Sequence, residues 1–304
     1  MDAEKTYAAV SEHYSSVSTN TTQLGEGYTK AVAQSFGYTE EELAAIPAES
    51  NLGVSCGNPI ATANLKEGET VIDLGSGGGL DVFLAATKVG PTGRAIGVDM
   101  NKDMLALAEK NKAKSGASNA QFVEAQITSI PLGDGIADTI ISNCVINLVP
   151  EEEKQLVFNE IFRLLKPGGR VAISDILAKQ PLPEKVRKSA AAHVGCVAGA
   201  SLVSQYQDYL KKAGLNDVLI LDTAADLNVY MDNLPGRGKE AGKSGDSGES
   251  CCTPKATEAT LCCPAPAEKK DGSTGLDLAA MATDLADINL NEWIGSYKIF
   301  AIKR

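Results

Sequence analysis

The sequence predicts an α/β protein in which helices cover a parallel sheet. Between residues 66 and 178, short apolar runs alternate with longer segments of helical periodicity. A glycine turn, DLGSGGG at 73–79, follows the first apolar run, and Asp99 follows the second. Strands that alternate with helices form parallel sheets, because each crossover helix packs on a face of the sheet. We therefore expect a Rossmann-like sheet with a helical N-terminal segment and a smaller C-terminal α+β region.

The predicted elements of residues 66–178 follow from local patterns. The first run, at 70–74, is typical of a strand that is covered on both faces. KPGG at 166–169 ends the last helix, since glycine and proline interrupt helical structure. The predicted strands are 70–74, 95–98, 120–124, 139–142 and 170–175, and the predicted helices are 80–89, 102–115 and 151–165.

The flanking regions are less regular. Residues 1–65 have a mostly helical pattern, with a capping box at Thr39 and Glu42, and we expect this segment to close over the site. Residues from about 235 to 274 are rich in Gly, Ser, Lys, Glu and Pro, a composition typical of a flexible insertion. The region 179–304 has predicted helices at 184–193, 204–213 and 276–285 and predicted strands at 218–221 and 292–303.

Composition excludes several classes of protein. The chain has 304 residues, a formal net charge of −11 and a pI near 4.8. This acidity argues against nucleic acid as a partner, because phosphate binding requires a basic surface. No signal-peptide pattern or long apolar run occurs, so we expect a cytoplasmic protein with no membrane partner. Seven cysteines in that compartment indicate ligands, nucleophiles or redox thiols rather than a disulfide framework.

The glycine turn and the acids beside it indicate a nucleoside cofactor. Glycine lets the backbone approach a ligand closely, and an acid after the second strand can accept hydrogen bonds from both ribose hydroxyls. A nicotinamide dinucleotide, S-adenosylmethionine and a purely structural turn are all compatible with these glycines. Asp73 directly precedes the turn. S-adenosylmethionine carries an ammonium and a sulfonium but no pyrophosphate, so an acid at this point favours a methyltransferase.

The cofactor residues can be assigned from their places after the predicted strands. The glycine turn would surround the amino-acid moiety, and the second and third strands would end at the ribose and the adenine. A residue after the fourth strand would lie near the methionine end. The assigned residues are Asp73, Gly75, Ser76, Gly77, Gly79, Asp99, Met100, Gln126, Ile127 and Asn143. Asp73 could instead form the turn, and Gln126 could cap the next helix.

The cysteines fall into two classes. Cys56, Cys144 and Cys196 are single, and glycine or asparagine next to each one favours a loop over a buried apolar position. Cys144 follows the carboxyl end of a predicted strand, where open α/β sheets bind ligands. The other four form two pairs inside the predicted insertion: Cys251, Cys252, Cys262 and Cys263. An accessory arsenic or redox role, no role, and a zinc site are all open for these pairs, although zinc prefers CxxC spacing.

Several segments resemble the arsenite S-adenosylmethionine methyltransferase family. These are GYTEEEL at 37–43, NLGVSCGNP at 51–59, GETVIDLGSGGGLDVFLAA at 68–86, IGVDM at 96–100, ISNCVINLV at 141–149 and CVAGA at 196–200. The resemblance implies a class I methyltransferase fold and assigns Cys56, Cys144 and Cys196 as the thiols that bind As(III). It also implies S-adenosyl-L-methionine as cofactor, arsenite or thiol-conjugated arsenite as substrate, and glutathione or a thioredoxin system as reductant. Some members carry a further upstream cysteine, whereas none precedes Cys56 here.

Three cysteines are suited to binding and methylating trivalent arsenic. Trivalent arsenic is soft, and thiolates are the ligands that a soft ion selects. Three thiolates leave the arsenic lone pair free to attack a sulfonium methyl group, so no general base is needed. His193 could favour a thiolate at Cys196 or be an ordinary polar helix residue. The expected function is therefore the methylation of arsenite to methylarsenicals, for detoxification. A small-molecule methyltransferase with another acceptor and a non-enzymatic metalloid-binding protein are the alternatives.

Overall fold

The computed structural model describes residues 3–19, 25–189, 196–227 and 288–304. These residues form one seven-stranded sheet with helices packed on it. No helix in these ranges is both long and apolar enough to cross a bilayer. The predicted insertion at 235–274, with its four cysteines, lies outside the described residues, as do His193 and the predicted helix at 276–285.

The sheet has the order β3-β2-β1-β4-β5-β7-β6. The first five strands are parallel, and β7 lies antiparallel between β5 and β6. This is a Rossmann-like α/β sheet, so the predicted fold class is confirmed. The strands are β1 (Thr70–Leu74), β2 (Arg94–Asp99), β3 (Ala120–Glu124), β4 (Ala137–Asn143), β5 (Leu165–Ala178), β6 (Asp217–Asp222) and β7 (Ile294–Ile302).

The helices that pack on this sheet keep the predicted bounds where local signals are strong. Asn101 caps the helix at 102–115, and Gly79 and Gly90 flank the helix at 80–89. The capping box of Thr39 and Glu42 is confirmed. The helices are α1 (Ala3–Thr19), α2 (Gly25–Ser35), α3 (Glu40–Ala44), α4 (Pro59–Ala63), α5 (Leu80–Val89), α6 (Lys102–Ser115), α7 (Lys154–Leu164), α8 (Glu184–Lys188), α9 (Val203–Ala213) and α10 (Leu290–Trp293).

Most of the other elements differ from the prediction by one to three residues at an end. Three differences have an identifiable local cause. The predicted helix at 184–193 ends at Lys188, because Ser189 is extended. Strand β5 begins at Leu165 and includes the predicted stop signal, where the register with β4 is irregular. Strand β7 begins at Ile294 rather than 292, since Asn289 caps a short helical turn before it.

The strand order reverses between β1 and β4, which places the site. These two strands are parallel neighbours, and Leu74 pairs with Ser142 at their carboxyl ends. Ligands bind open α/β sheets in the crevice at such a reversal. Gly75 has a φ of +70°, and a Cβ there would lie 2.5 Å from the side chain of Val145. The two loops therefore approach closely, and a side chain at 75 would force them apart.

The core lies on both faces of the sheet and continues toward the site. Helices α7 and α9 pack on one face through Phe158 and Tyr206, whose rings meet edge to face. Helix α5 packs on the other face. A separate apolar cluster contains the three single cysteines together with residues of α1 and α2 such as Val10 and Val32. The N-terminal helices thus cover the edge of the sheet at which the strands end.

Candidate active site

The glycine turn after β1 is fixed by backbone hydrogen bonds to the end of β2. The amides of Gly75 and Ser76 donate to the carbonyl oxygen of Val98, at 2.7 and 3.0 Å. The amide of Gly77 donates to Oδ2 of Asp99 at 2.8 Å. The other carboxylate oxygen of Asp99 accepts from the amide of Asn101 at 2.9 Å. Each carboxylate oxygen keeps a further lone pair for a ligand.

A cavity opens beside this turn. Nine of the ten residues assigned to the cofactor line it: Asp73, Gly75, Ser76, Gly77, Asp99, Met100, Gln126, Ile127 and Asn143. Gly79 is not among the lining residues. Its φ of +96° turns the chain into α5, and a Cβ there would lie 2.6 Å from the ring of Phe83.

The sequence analysis expected the 1–65 segment to close over the site but named none of its residues that line this cavity. Helix α1 contributes Tyr7, Val10, Ser11 and Tyr14, spaced so that they share one helix face. The side-chain amide of Asn101 donates to the carbonyl oxygen of Ser11 at 2.8 Å and so fixes α1 beside the cavity. The spacing on α1 was a usable signal, but it did not reveal which surface the face would meet.

Three acids cluster in the cavity wall without a basic partner. Asp73 and Asp81 are buried, and no salt bridge to either of them or to Asp99 exists among the described residues. Burial and the nearby carboxylates of Asp81 and Asp99 raise the pKa of Asp73 well above its usual value. Burial raises the pKa of Asp81 to about 6, although hydrogen bonds from Tyr38 and Asn143 oppose the rise. A cationic ligand would relieve this repulsion.

Asn143 joins the acid cluster to the segment that carries Cys56. Its amide nitrogen lies 3.1 Å from Oδ2 of Asp81 and 3.0 Å from the carbonyl oxygen of Gly57. Its amide oxygen accepts from the backbone amide of Cys56 at 3.2 Å. Tyr38 donates to the other oxygen of Asp81 at 2.7 Å. The predicted cofactor residue Asn143 therefore also positions a predicted arsenic ligand.

The structure brings the three single cysteines together. A disulfide joins Cys56 to Cys144, whose Cα atoms lie 5.8 Å apart, so both thiols must be reduced before they can bind an ion. Cys196 is a free thiol that donates to the carbonyl oxygen of Cys144 at 2.8 Å. All three are buried, and Cys144 also lines the cavity. The thiol cluster, Cys56 with Cys144 and Cys196, therefore shares a wall with the cavity.

A side-chain hydrogen bond and close backbone packing hold the thiol cluster in place, and two of its cysteines have a strained backbone. Ser296 on β7 donates to the carbonyl oxygen of Cys56 at 2.6 Å. Gly57 allows this segment to lie against β5, because a Cβ there would come within 2.4 Å of the Cβ of Ser174. Cys144 and Cys196 have φ values of 59° and 62°, a region that non-glycine residues rarely adopt and that costs about 1–3 kcal/mol each. Such strain is found where a precise side-chain position is required.

A carboxylate missed by the sequence prediction lies beside the sulfurs. A carboxylate oxygen of Asp175 and the sulfurs of Cys56 and Cys144 all lie within 4.8 Å of one another. Burial raises the pKa of Asp175 to about 7, opposed by the amide of Ile176, the charge of Lys154 and a hydrogen bond from Tyr206. Nothing in its local sequence distinguishes this acid from others at strand ends.

The thiol of Cys196 is held in its neutral form in the free protein. Burial and the charge of Asp175 raise the pKa of Cys196, while a hydrogen bond from Tyr14 and the charge of Lys154 oppose the rise. A thiophilic ion would displace the proton, because coordination favours the thiolate strongly.

Comparison with known proteins gives a matching family model and several sequence relatives. A family model described as a methyltransferase domain matches residues 65–214. An arsenite methyltransferase of Halobacterium salinarum is 46% identical over 188 residues, which are 62% of this chain and 48% of that protein. The human arsenite methyltransferase is 40% identical over 141 residues, 43% of this chain and 36% of that protein. The match spans about half the length of the Halobacterium protein and just over a third of the human one.

Solved structures show a similar fold. An arsenic(III) S-adenosylmethionine methyltransferase from Chlamydomonas reinhardtii aligns with a TM-score of 0.53 at 25% identity, over 90% of this chain and 73% of that one. A phosphoethanolamine N-methyltransferase from Haemonchus contortus, in complex with S-adenosyl-L-methionine, aligns with a TM-score of 0.60 at 17% identity. It covers 93% of this chain and 58% of that one, and it supports the fold alone.

Proposed function

We propose that this chain, a sequence relative of the arsenite methyltransferases, transfers the methyl group of S-adenosyl-L-methionine to trivalent arsenic. One observation carries the proposal: three cysteines from separate segments meet in the wall of the cavity that holds the glycine turn and its acids, and reduction of the Cys56–Cys144 disulfide makes all three available as thiols. A methyltransferase for a carbon, nitrogen or oxygen acceptor has no need of three convergent thiols.

The residues around the cavity fit a cationic nucleoside. Asp73, Asp81 and Asp99 offer uncompensated carboxylates, and the glycine turn leaves room for close backbone contact. In this proposal Asp73 and the turn hold the amino-acid moiety, Asp99 and Met100 hold the ribose side, and Gln126 and Ile127 hold the adenine. The bound cofactor supplies an electrophilic methyl group.

Cys56, Cys144 and Cys196 bind arsenite, or arsenite delivered as a thiol conjugate, in the proposed complex. Three thiolates satisfy the trigonal coordination of As(III) and leave its lone pair for the attack. The protein then acts mainly by orienting the two reactants, a contribution that reaches about 7–11 kcal/mol in well-oriented reactions. Helix α1, as part of the 1–65 segment, closes over the reactants and excludes water.

The wider biological role is proposed on the same basis. Methylation of arsenite by this chain would serve arsenic detoxification in the cytoplasm, where glutathione or a thioredoxin system returns the thiols to their reduced form. Residues 66–178 would form the cofactor-binding domain. Region 179–304 would complete the arsenic site, to which it contributes Cys196 and Ser296.

The test is direct. Purified protein is incubated with arsenite, labelled S-adenosylmethionine and a thiol, and methylated arsenic is separated by chromatography and quantified by mass spectrometry. We expect labelled methylarsenicals from the wild type and none from Cys144→Ser. Arsenite binding without methylation would indicate a metalloid-binding protein instead. Methylation of another acceptor, unaffected by arsenite or by Cys144→Ser, would indicate the other alternative.

A further inference from the structure

The charge beside the thiol cluster suggests a further role in the reaction. We propose that Asp175 is a charge-stabilising residue of the methyl transfer, whose carboxylate faces the positive charge that arsenic acquires when it accepts the methyl group. This inference rests on the proposed function and deepens it, because it concerns how the arsenic site promotes the transfer and not only how it binds arsenite.

The charge balance of the transfer requires such a group. The arsenic lone pair forms the bond to the methyl carbon, and the electron pair of the broken carbon–sulfur bond stays on the cofactor sulfur. The formal positive charge therefore leaves the sulfonium and arrives at arsenic, with no oxidant or proton involved. Arsenic bound to three thiolates is neutral before the step. A fixed negative charge beside it stabilises the transition state more than the bound substrate.

Asp175 lies where this charge develops. Its carboxylate oxygen is within 4.8 Å of the sulfurs of Cys56 and Cys144. Within the described part of the chain, Asp175 forms no salt bridge. The ammonium of Lys154 acts on it from a distance, because that group is bound to Glu151 and to the hydroxyl of Ser201, at 2.8 and 2.9 Å. Because burial raises the pKa of Asp175 to about 7, its negative charge is available to the thiol site at a pH above that value.

The carboxylate is also held in a fixed orientation. One oxygen accepts from the amide of Ile176 and from Nδ2 of Asn147, both at 2.9 Å, and the other accepts from the hydroxyl of Tyr206 at 3.3 Å. Nδ2 of Asn147 also lies 3.2 Å from the carbonyl oxygen of Cys196, so one amide links the carboxylate to the third thiol. Groups fixed in advance stabilise a transition state without reorganising during the reaction.

Folding alone does not account for an acid at this position. Asp175 is fully buried, and burial of a carboxylate without a cation opposes folding. Asparagine has nearly the same shape, and its oxygen could accept from Ile176 and Asn147 without a charge. The negative charge is the property that asparagine lacks, and it is the property that the transfer uses.

The test separates charge from structure by single-turnover kinetics. We expect Asp175→Asn to reduce the rate of the first methyl transfer about 100-fold, the usual effect of removing one electrostatic contact in a transition state. Its dissociation constants for arsenite and for S-adenosylmethionine should change little when each is measured separately by calorimetry. As a matched control, Tyr206→Phe removes the hydrogen bond that Tyr206 donates to Asp175, and at about pH 9, well above the Asp175 pKa, the charge is kept, so the rate should stay within about tenfold of the wild type at that pH.

A second variant keeps the proposal testable if Asp175→Asn does not fold. Asp175→Ala leaves a space beside the sulfurs, so added formate should restore part of its transfer rate, whereas neutral formamide should not. A wild-type transfer rate in Asp175→Asn would overturn the proposal, as would loss of arsenite binding in that variant. A wild-type protein that forms no methylarsenical would contradict the proposed function itself.

Discussion

The cofactor cavity and the thiol cluster share a wall, yet they are built differently. The glycine turn and two acids of the cavity come from the short stretch 73–81, and backbone amides tie the turn to Val98 and Asp99. The thiol cluster takes one cysteine from each of three segments, separated by 88 and 52 residues. Side chains from distant strands fix it, with Asn143 and Ser296 holding Cys56.

This difference predicts that cofactor binding and arsenic binding can be lost independently of each other. A change in the cavity should weaken cofactor binding and leave arsenic binding intact, because the turn has its own backbone support. A change around the thiols should have the opposite effect. Asn143 is the point of contact, since it bonds both to Asp81 and to the Cys56 segment.

The largest expected effect is that of Cys56→Ser. Methylation of arsenite should fall by about two orders of magnitude or more, because the ion loses one of three ligands and its orientation. Methylation of monomethylarsonous acid should persist, since that substrate needs only two thiolates. Initial rates with each substrate at saturating cofactor provide the comparison. Equal loss with both substrates would show that the thiols do not divide the work in this way.

The next largest effect is expected from Asp99→Ala, on the affinity for the cofactor. If its carboxylate holds the ribose hydroxyls, Asp99→Ala should weaken cofactor binding by roughly 1.5–3 kcal/mol, or about 10- to 150-fold. Arsenite binding should not change. Calorimetric titration measures both, and Asp103→Ala, an exposed acid on the first turn of α6, is the matched control. Unchanged cofactor affinity in Asp99→Ala would show that the ribose is held elsewhere.

Cofactor affinity should also depend on pH through Asp81. Its pKa is raised by burial to about 6, so the free protein holds a neutral carboxyl below that pH and a charged one above it. A cationic ligand favours the charged form, so affinity should fall about tenfold between about pH 7.5 and 5. The same raised pKa means that ionisation of Asp81 destabilises the free protein as pH rises through about 6. Asp81→Asn should flatten the affinity profile in calorimetric titrations, and an unchanged profile would exclude Asp81 as its source.

The smallest effect is expected from Ser296→Ala. It removes the hydrogen bond to the carbonyl oxygen of Cys56 and leaves that buried group without this donor. The free energy of unfolding should fall by about 1 kcal/mol, and arsenite affinity should fall modestly. Urea denaturation and arsenite titration measure the two. A change in cofactor affinity instead would show that the two regions are not separable.

The local elements of this protein were predictable because their signals are local. The bounds of β1, β3, α5 and α6 match the prediction residue for residue, since glycines, an asparagine cap and short apolar runs define them. The glycine turn and its acids were found for the same reason. Cys56, Cys144 and Cys196 were recognised by the motifs around them, without any indication of how they meet.

Only the tertiary structure decided which distant groups surround the thiols. Ser296 lies 240 residues from Cys56, and β7 brings it there by pairing between β5 and β6. Asp175 reaches the sulfurs because β5 lies next to β4 in the sheet. An acid near the end of a predicted strand has the same local pattern whether it faces solvent or a buried sulfur. The order of the strands determines its neighbours, and that order results from the packing of the whole chain.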